Sequence, residues 1–279
     1  MRIFVTGGTG FIGSHFIKAA LAAGQEVRAL RRSNHSATRI PLNCQPDWLT
    51  KQMSEVTIDD LQKTDTFVHL AAAGVSPQKA DWATLLRTNV TDSLELWLKA
   101  VEAGIRRFII CGSCFEYGAS ADRYEFIPPD APLEPTTAYG ASKAAASMTA
   151  LALARQKGLK LQIVRPFHVY GEGQDGANFW PSLKRAALAG EDFKMTPGEQ
   201  VRDFASADEA ARHILIACQD ANLQPGQPRV KNLGSGNPQT LRQFAEHWWK
   251  QWHARGRLLL GALPYRTGEV MRYVPTITN

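Results

Sequence analysis

The chain has 279 residues, 44% of them hydrophobic and 21% charged, and its 32 Lys and Arg against 26 Asp and Glu give a formal net charge of +6. A chain this apolar can bury enough surface to offset its ordering entropy, which excludes intrinsic disorder. No run of about 18 apolar residues is present to span a membrane as a helix, and the four Cys are too few for a disulfide scaffold.

The opening residues Arg2-Ile3-Phe4-Val5 run straight into Thr6-Gly7-Gly8, with no apolar leader segment. A cytoplasmic protein is therefore expected. Ile3–Thr6 is predicted as a strand, Gly13–Ala23 as a helix and Glu26–Leu30 as a strand. Trp48–Met53 is a further predicted strand and Thr66–Ala71 another. Trp82–Ala103 has the apolar spacing of one long helix. Arg107–Gly112 is predicted as a strand, Ala138–Lys157 as a helix and Lys160–Arg165 as a strand. This alternation predicts an α/β protein built on a Rossmann-type, doubly wound parallel sheet. After Arg165 the pattern breaks. Gly171, Gly173, Gly176, Pro181, Pro197 and Gly198 punctuate shorter segments. Ser206–Cys218 then has helical spacing, Arg229–Leu233 reads as a strand, and 241–252 is a helical stretch rich in aromatics. The expected division is a dinucleotide-binding unit of residues 1–165 plus about 202–235. About 166–201 plus 236–279 form a smaller interleaved C-terminal substrate domain.

Thr6-Gly7-Gly8-Thr9-Gly10-Phe11-Ile12-Gly13 joins the first strand to the first helix. Glycines at this spacing allow a tight turn, close backbone approach to a pyrophosphate, and close helix–strand packing. A helix N-terminus adds free N–H groups and a favourable dipole. The second strand ends at Arg31 and Arg32, where an NAD site usually carries an acid. Arginine there can take the 2′-phosphate of NADP, so NADP(H) is favoured over NAD(H); a solvated basic loop is the simpler alternative, since Arg39 is also nearby. No run of five basic residues and no nucleic-acid motif occurs, so nucleic acid is not an expected partner.

Tyr139 and Lys143 stand four apart, on one face of a predicted helix. A nearby ammonium lowers a phenol towards neutral pH and makes it a usable acid or base. Ser113 follows a predicted strand and is placed to bond a substrate oxygen. Asn89 lies inside the long predicted helix, where Asn is disfavoured, which points to a polar role. Cys111-x-x-Cys114 has no second Cys or His pair at ligand spacing, so no metal site is expected. Trp248, Trp249 and Trp252 are expected in a core or an interface.

With these motifs in place the chain resembles the extended short-chain dehydrogenase/reductase family, in its nucleotide-sugar epimerase/dehydratase group. The likeness covers nearly the whole chain. It rests on the Gly7–Gly13 loop, His69-Leu70-Ala71-Ala72, Asn89-Val90, Ser113-x-x-x-Tyr117-Gly118 and Tyr139-x-x-x-Lys143. Arg165-Pro166-Phe167-His168-Val169-Tyr170-Gly171 and Gln200-Val201-Arg202-Asp203-Phe204 complete it. The resemblance implies Tyr139 as general acid/base and Lys143 as its activator and a ligand of the nicotinamide ribose. It implies Ser113 as carbonyl partner and Asn89 as support for a proton relay. Gly7, Gly10, Phe11, Ile12, Gly13, Arg31, Arg32, Leu70, Ala71, Ala72, Tyr139, Lys143 and Pro166 would line the cofactor.

On the substrate side, Arg202 and Arg266 are similar to the family arginines that clamp a nucleotide diphosphate, an ion pair with Asp203 or Glu269 being the alternative. Val75, Ser76, Cys114 and Asn178 are expected near the sugar. His168 stands where the family commonly has Asn, either bonding the substrate or held as a structural histidine. Family dehydratases carry an Asp-Glu pair directly after the catalytic hydroxyl, where this chain has Cys114 and Phe115, so a 4,6-dehydratase is not expected. The implied activity is reduction of a 4-keto-hexose on a nucleotide, close to the 4-keto-6-deoxyhexose reductases. A 4-epimerase is the alternative, and a non-catalytic NADP-binding regulator comes third. A homodimer through helices around Ser93–Val101 and Ala144–Ala154 is implied, with no membrane partner.

Overall fold

The computed structural model describes residues 1–75, 80–266 and 268–277. In chain order the strands are β1 (Arg2–Thr6), β2 (Glu26–Arg31), β3 (Asp47–Thr50), β4 (Thr66–His69), β5 (Arg107–Cys111), β6 (Lys160–Pro166), β7 (His168–Tyr170), β8 (Phe193–Lys194), β9 (Val201–Ser206), β10 (Arg229–Leu233), β11 (Pro238–Thr240), β12 (Leu258–Leu259) and β13 (Arg272–Tyr273). The helices are α1 (Phe11–Ala22), α2 (Trp82–Leu86), α3 (Ser93–Glu102), α4 (Ala138–Lys157), α5 (Phe179–Ala189), α6 (Ala207–Gln219) and α7 (Leu241–Gln251).

Seven strands form one parallel sheet in the order β10-β6-β5-β4-β1-β2-β3. Its architecture is the Rossmann-like α/β arrangement, and its middle strands are apolar on both faces, as a sheet covered on two sides requires. Alternate side chains of these strands feed two cores. Phe4, Phe67, Phe108 and Ile163 pack with Leu96, Trp97 and Ala150 on one side. Ile3, Val5, Val68 and Ile109 pack with Ile17, Ala210 and Ile214 on the other. Phe67 sits between Phe4 and Phe108 with ring centroids 5.5 and 5.4 Å away, cross-strand pairs each worth about 0.5–1.5 kcal/mol beyond area burial. The chain leaves β1 towards β3 and returns to β4 on the other side. This reversal makes a crevice at the carboxyl ends of β1 and β4.

A second sheet is built around β9, which pairs in parallel with β7 and β13 and antiparallel with β11. The helix after β9 returns to the larger sheet: α6 starts in a Ser206–Glu209 capping box and packs along α1. Leu183, Met195 and Ala245 form a further core, and Trp248, Trp249 and Trp252 pack against it.

Several boundaries differ from the sequence pattern. The strand expected at Trp48–Met53 ends at Thr50, because Glu55 turns back to accept a bond from Gln52 N at 2.7 Å and closes a short turn. The strand expected at Thr66–Ala71 ends at His69, where Leu70 N bonds Thr6 O at 3.2 Å and folds the chain over β1. The helix expected at Trp82–Ala103 is three pieces. A wide π-helical turn, Arg87–Asp92, separates α2 from α3. Among the described residues, no helix is long and apolar enough to cross a membrane.

Candidate active site

The glycine loop lies in the crevice between β1 and β4. Gly7 has φ +71°, and a Cβ there would meet Ala71 N and Leu70 C at 2.6 Å, a conformation and a closeness that only glycine supplies. A Cβ on Gly13 would fall on the Gly7 carbonyl oxygen. Helix α1 opens at Gly10 without a side-chain cap and without an acidic residue in its first turn. The N–H groups of Phe11, Ile12 and Gly13 are thus the open end of a helix dipole. This cradle fits the pyrophosphate of a dinucleotide.

The loop after β4 is held from both sides. Thr6 Oγ1 and His69 Nδ1 lie 3.0 Å apart, and His69 Nε2 is 3.1 Å from Ser93 Oγ. Burial, with Lys143 adding to it, pushes His69 down to about 3, so its ring is neutral. Ala71 N donates to Thr6 Oγ1 at 3.3 Å. Asn89, 3% exposed, accepts from Ala73 N at 2.8 Å and donates to Ala73 O at 3.2 Å. It also donates to Ser142 Oγ at 2.9 Å. Asn89 therefore ties the loop to α4, and the π-turn supplies the geometry: π-bulges recur at functional sites.

Tyr139 and Lys143 occupy the first turns of α4, whose Thr137 cap accepts from Gly140 N at 3.0 Å. Ser113 heads the short turn after β5, where its Oγ accepts from Phe115 N at 3.3 Å. Lys143 is buried and donates from Nζ to Cys111 O at 2.7 Å. One expectation needs correction. Burial raises the Tyr139 phenol, with Cys111, Cys114 and Glu116 adding to it and Ser113 opposing it.

The rest of the expected set is spread around this centre. Arg31 donates to Thr50 Oγ1 at 2.9 Å and to Asn34 Oδ1 at 2.8 Å, and its guanidinium lies 5.3 Å over Trp48. Arg32 is exposed, and Leu70, Ala71, Ala72 and Pro166 are half-buried at the strand ends. Arg202 pairs with Glu269 at 3.2 Å and also donates to Val270 O at 2.6 Å. Asp203 does not face it; its carboxylate accepts from Ser235 N and Gly236 N. Arg266 is exposed on the loop that carries Glu269, and Asn178 is exposed ahead of α5. His168 packs edge-on to Phe204 and Tyr273, with Nδ1 buried and without a partner among the described residues. Burial and Arg202 push it down to about 3. Val75 is exposed beside Gly74, whose Cβ position is 3.3 Å from Tyr139 Cδ2. Ser76 lies outside the described residues.

Cys114, expected on the substrate side, is 3% exposed and packs with Tyr117, Phe167 and Tyr273. The short turn points it inward and leaves Phe115 exposed, with its ring centroid 6.1 Å from that of Tyr139. Three further residues at this site escaped the sequence reading. Glu116 and Arg165 form a buried pair behind Ser113. The spacing Ser113-x-x-Glu116 is a capping-box signature that could have pointed to the first of them. Tyr273 donates from its hydroxyl to Cys114 O at 2.6 Å, and its distance along the chain left no signal.

The chain is similar to known proteins along most of its length. The model of the NAD dependent epimerase/dehydratase family matches residues 3–234. A dTDP-glucose 4,6-dehydratase of Streptomyces niveus is 26% identical over 98% of this chain and 84% of its own length. A dTDP-6-deoxy-L-talose 4-dehydrogenase (NAD(P)(+)) of Kitasatospora kifunensis is 27% identical over 88% of this chain and 77% of its own. Among solved structures, MoeE5 in complex with UDP-glucose and NAD superposes with a TM-score of 0.82 at 27% identity, covering 99% of this chain and 90% of that one.

Proposed function

The chain belongs to the NAD dependent epimerase/dehydratase family, and on that premise we propose that it is an NADP(H)-dependent reductase. Its substrate in this reading is the 4-keto group of a nucleoside-diphosphate-activated deoxyhexose. One observation carries the choice of reaction. Cys114 and Phe115 follow Ser113 at the positions where family dehydratases hold their acid and base, and here one is buried and the other apolar. On this reading, elimination of water lacks its usual acid–base pair. The resemblance of the Kitasatospora 4-dehydrogenase supports a simple carbonyl–alcohol interconversion.

A nicotinamide cofactor, when bound in the glycine-loop cradle, would supply the hydride. Ser113 Oγ–H donates to the substrate carbonyl oxygen, and the Tyr139 phenol gives that oxygen its proton as it becomes a hydroxyl. Lys143 would hold the cofactor ribose from the same helix face, and Asn89 fixes the loop that carries Ala71 and Ala72. Arg202 and Arg266 offer planar donors to the diphosphate. The test is direct. Purified protein is mixed with NADPH and dTDP-4-keto-6-deoxyglucose. Loss of nicotinamide absorbance, mole for mole with product, is expected. Interconversion of sugars without net cofactor consumption would identify an epimerase instead.

Arg31 carries the preference for NADP(H). It is already held at the end of β2 by Thr50, Asn34 and Trp48, so little ordering entropy remains to be lost on meeting a phosphate. Arg31→Asp is expected to weaken NADPH binding roughly tenfold to hundredfold, the equivalent of one charge-assisted hydrogen bond of about 1.5–3 kcal/mol. NADH binding should change little. Equal loss for both cofactors, measured by nicotinamide fluorescence, would remove the assignment.

The same reading makes the protein a cytoplasmic homodimer. Its four cysteines are free, as a reducing compartment allows. Leu98 on α3 and Met148 on the neighbouring α4 are exposed, and so is Leu86 on α2. Met148→Asp is expected to give a monomer in sedimentation equilibrium. An unmodified protein that sediments as a monomer overturns the dimer.

A further inference from the structure

We propose that Glu116, paired with Arg165, is a positioning residue for the Ser113–Tyr139–Lys143 set, an inference that rests on this set being the reaction centre. Glu116 ties the turn that carries Ser113 to β6, behind α4. Its Oε1 accepts from Ser113 N at 2.8 Å. Its Oε2 accepts from Arg165 Nε on β6 at 2.8 Å. The positive charge of Lys143 on α4 also acts on its carboxylate. The strand end is shaped around it: a Cβ on Gly112 would stand 2.6 Å from Glu116 Oε1.

The pair is braced from behind. Arg165 Nη1 donates to Tyr117 Oη at 2.9 Å and to Pro129 O at 3.0 Å. Tyr117 in turn donates to Asn232 Oδ1 at 2.6 Å. The side chains of Glu116 and Arg165 are 0% and 3% exposed. Removing two charges from water costs so much that a buried pair adds little net stability, and apolar replacements of similar volume are often neutral or stabilising. A role in geometry and charge explains its place directly behind Ser113 better than a role in stability does.

The charged and titratable groups around Glu116 are Arg165, Lys143, Tyr117, Tyr139, Cys111 and Cys114. The Glu116 carboxylate helps to keep the Tyr139 phenol protonated. A reductase needs that proton, so activity falls at high pH where the phenol ionises. Loss of the Glu116 charge should move this alkaline limb to lower pH.

The experiment compares Glu116→Gln with the double variant Glu116→Leu/Arg165→Met. The single variant leaves an unpaired arginine and is expected to lower Tm. The double variant should recover Tm. Its kcat for dTDP-4-keto-6-deoxyglucose and NADPH should nevertheless stay at least about tenfold down, since misplaced reacting groups cost up to 10²-fold. KM for NADPH should hold, and in both variants the alkaline limb should shift down. Recovery of kcat along with Tm, or an unmoved limb, overturns the proposal. If the unmodified protein does not reduce the keto-sugar, the proposed reaction fails separately. The positioning is then read from hydrogen exchange at the Ser113 amide, which should quicken in the double variant; unchanged protection overturns it.

Discussion

Replacing Tyr139 with phenylalanine is expected to lower kcat for keto-sugar reduction by roughly 10²- to 10⁴-fold, the range for loss of one general acid. Cofactor affinity and Tm should stay near those of the unmodified protein. The ring packs edge-on against Phe115, and phenylalanine preserves that contact. What disappears is one O–H beside Ser113. The size of the loss follows from the surroundings. Burial and the neighbouring Glu116 disfavour the phenolate, so the phenol is held as a proton donor that nothing else at the site replaces. The Lys143 Nζ is turned to Cys111 O. Retained activity in Tyr139→Phe would favour a protein that binds its ligands without turning them over.

Gly13→Ala should weaken NADPH binding by at least about 100-fold, the cost of displacing a positioned group by about 1 Å. The added Cβ would fall on the Gly7 carbonyl oxygen, and Gly7 cannot retreat because Leu70 and Ala71 stand behind it. Either α1 slides outward or the loop opens. Both move the N–H groups of Phe11, Ile12 and Gly13 away from the pyrophosphate. Overpacking of this kind also costs about 1–3 kcal/mol of stability. Gly24→Ala is the control. Gly24 has φ +69° with nothing within 4 Å of its Cβ position, so only backbone strain is added, and cofactor affinity should not change. A calorimetric titration that finds Gly13→Ala binding as tightly as the unmodified chain would remove the loop from the site.

How much of this was legible depended on distance along the chain. The glycine loop, the Tyr139–Lys143 pair and most strands are local patterns, and each stands where the spacing placed it. Apolar periodicity carried the helix prediction from Trp82 to Ala103 unbroken, because a period near 3.6 does not register one wide turn. The Glu116–Arg165 pair joins residues 49 apart, and the Tyr273–Cys114 bond joins residues 159 apart. Neither leaves a periodic trace. The Tyr139 phenol shows the same limit in energetic form. Four-residue spacing puts Lys143 on its face, while the depth of the crevice decides which way the phenol shifts.

The turn at Arg87–Asp92 also constrains how this chain can change. A π-turn holds one residue more than a regular helix would over the same rise. Deleting that residue would restore the ordinary ladder, yet it would rotate everything on one side by about 100° relative to the other. Asn89 would swing away from Ala73 and Ser142, or Trp97 would swing out of the core in which it is fully buried. Substitution at Thr88 or Thr91 is a local matter by comparison. Across these six residues the chain is held to a count as well as to a composition, and drift by insertion or deletion is closed to it there.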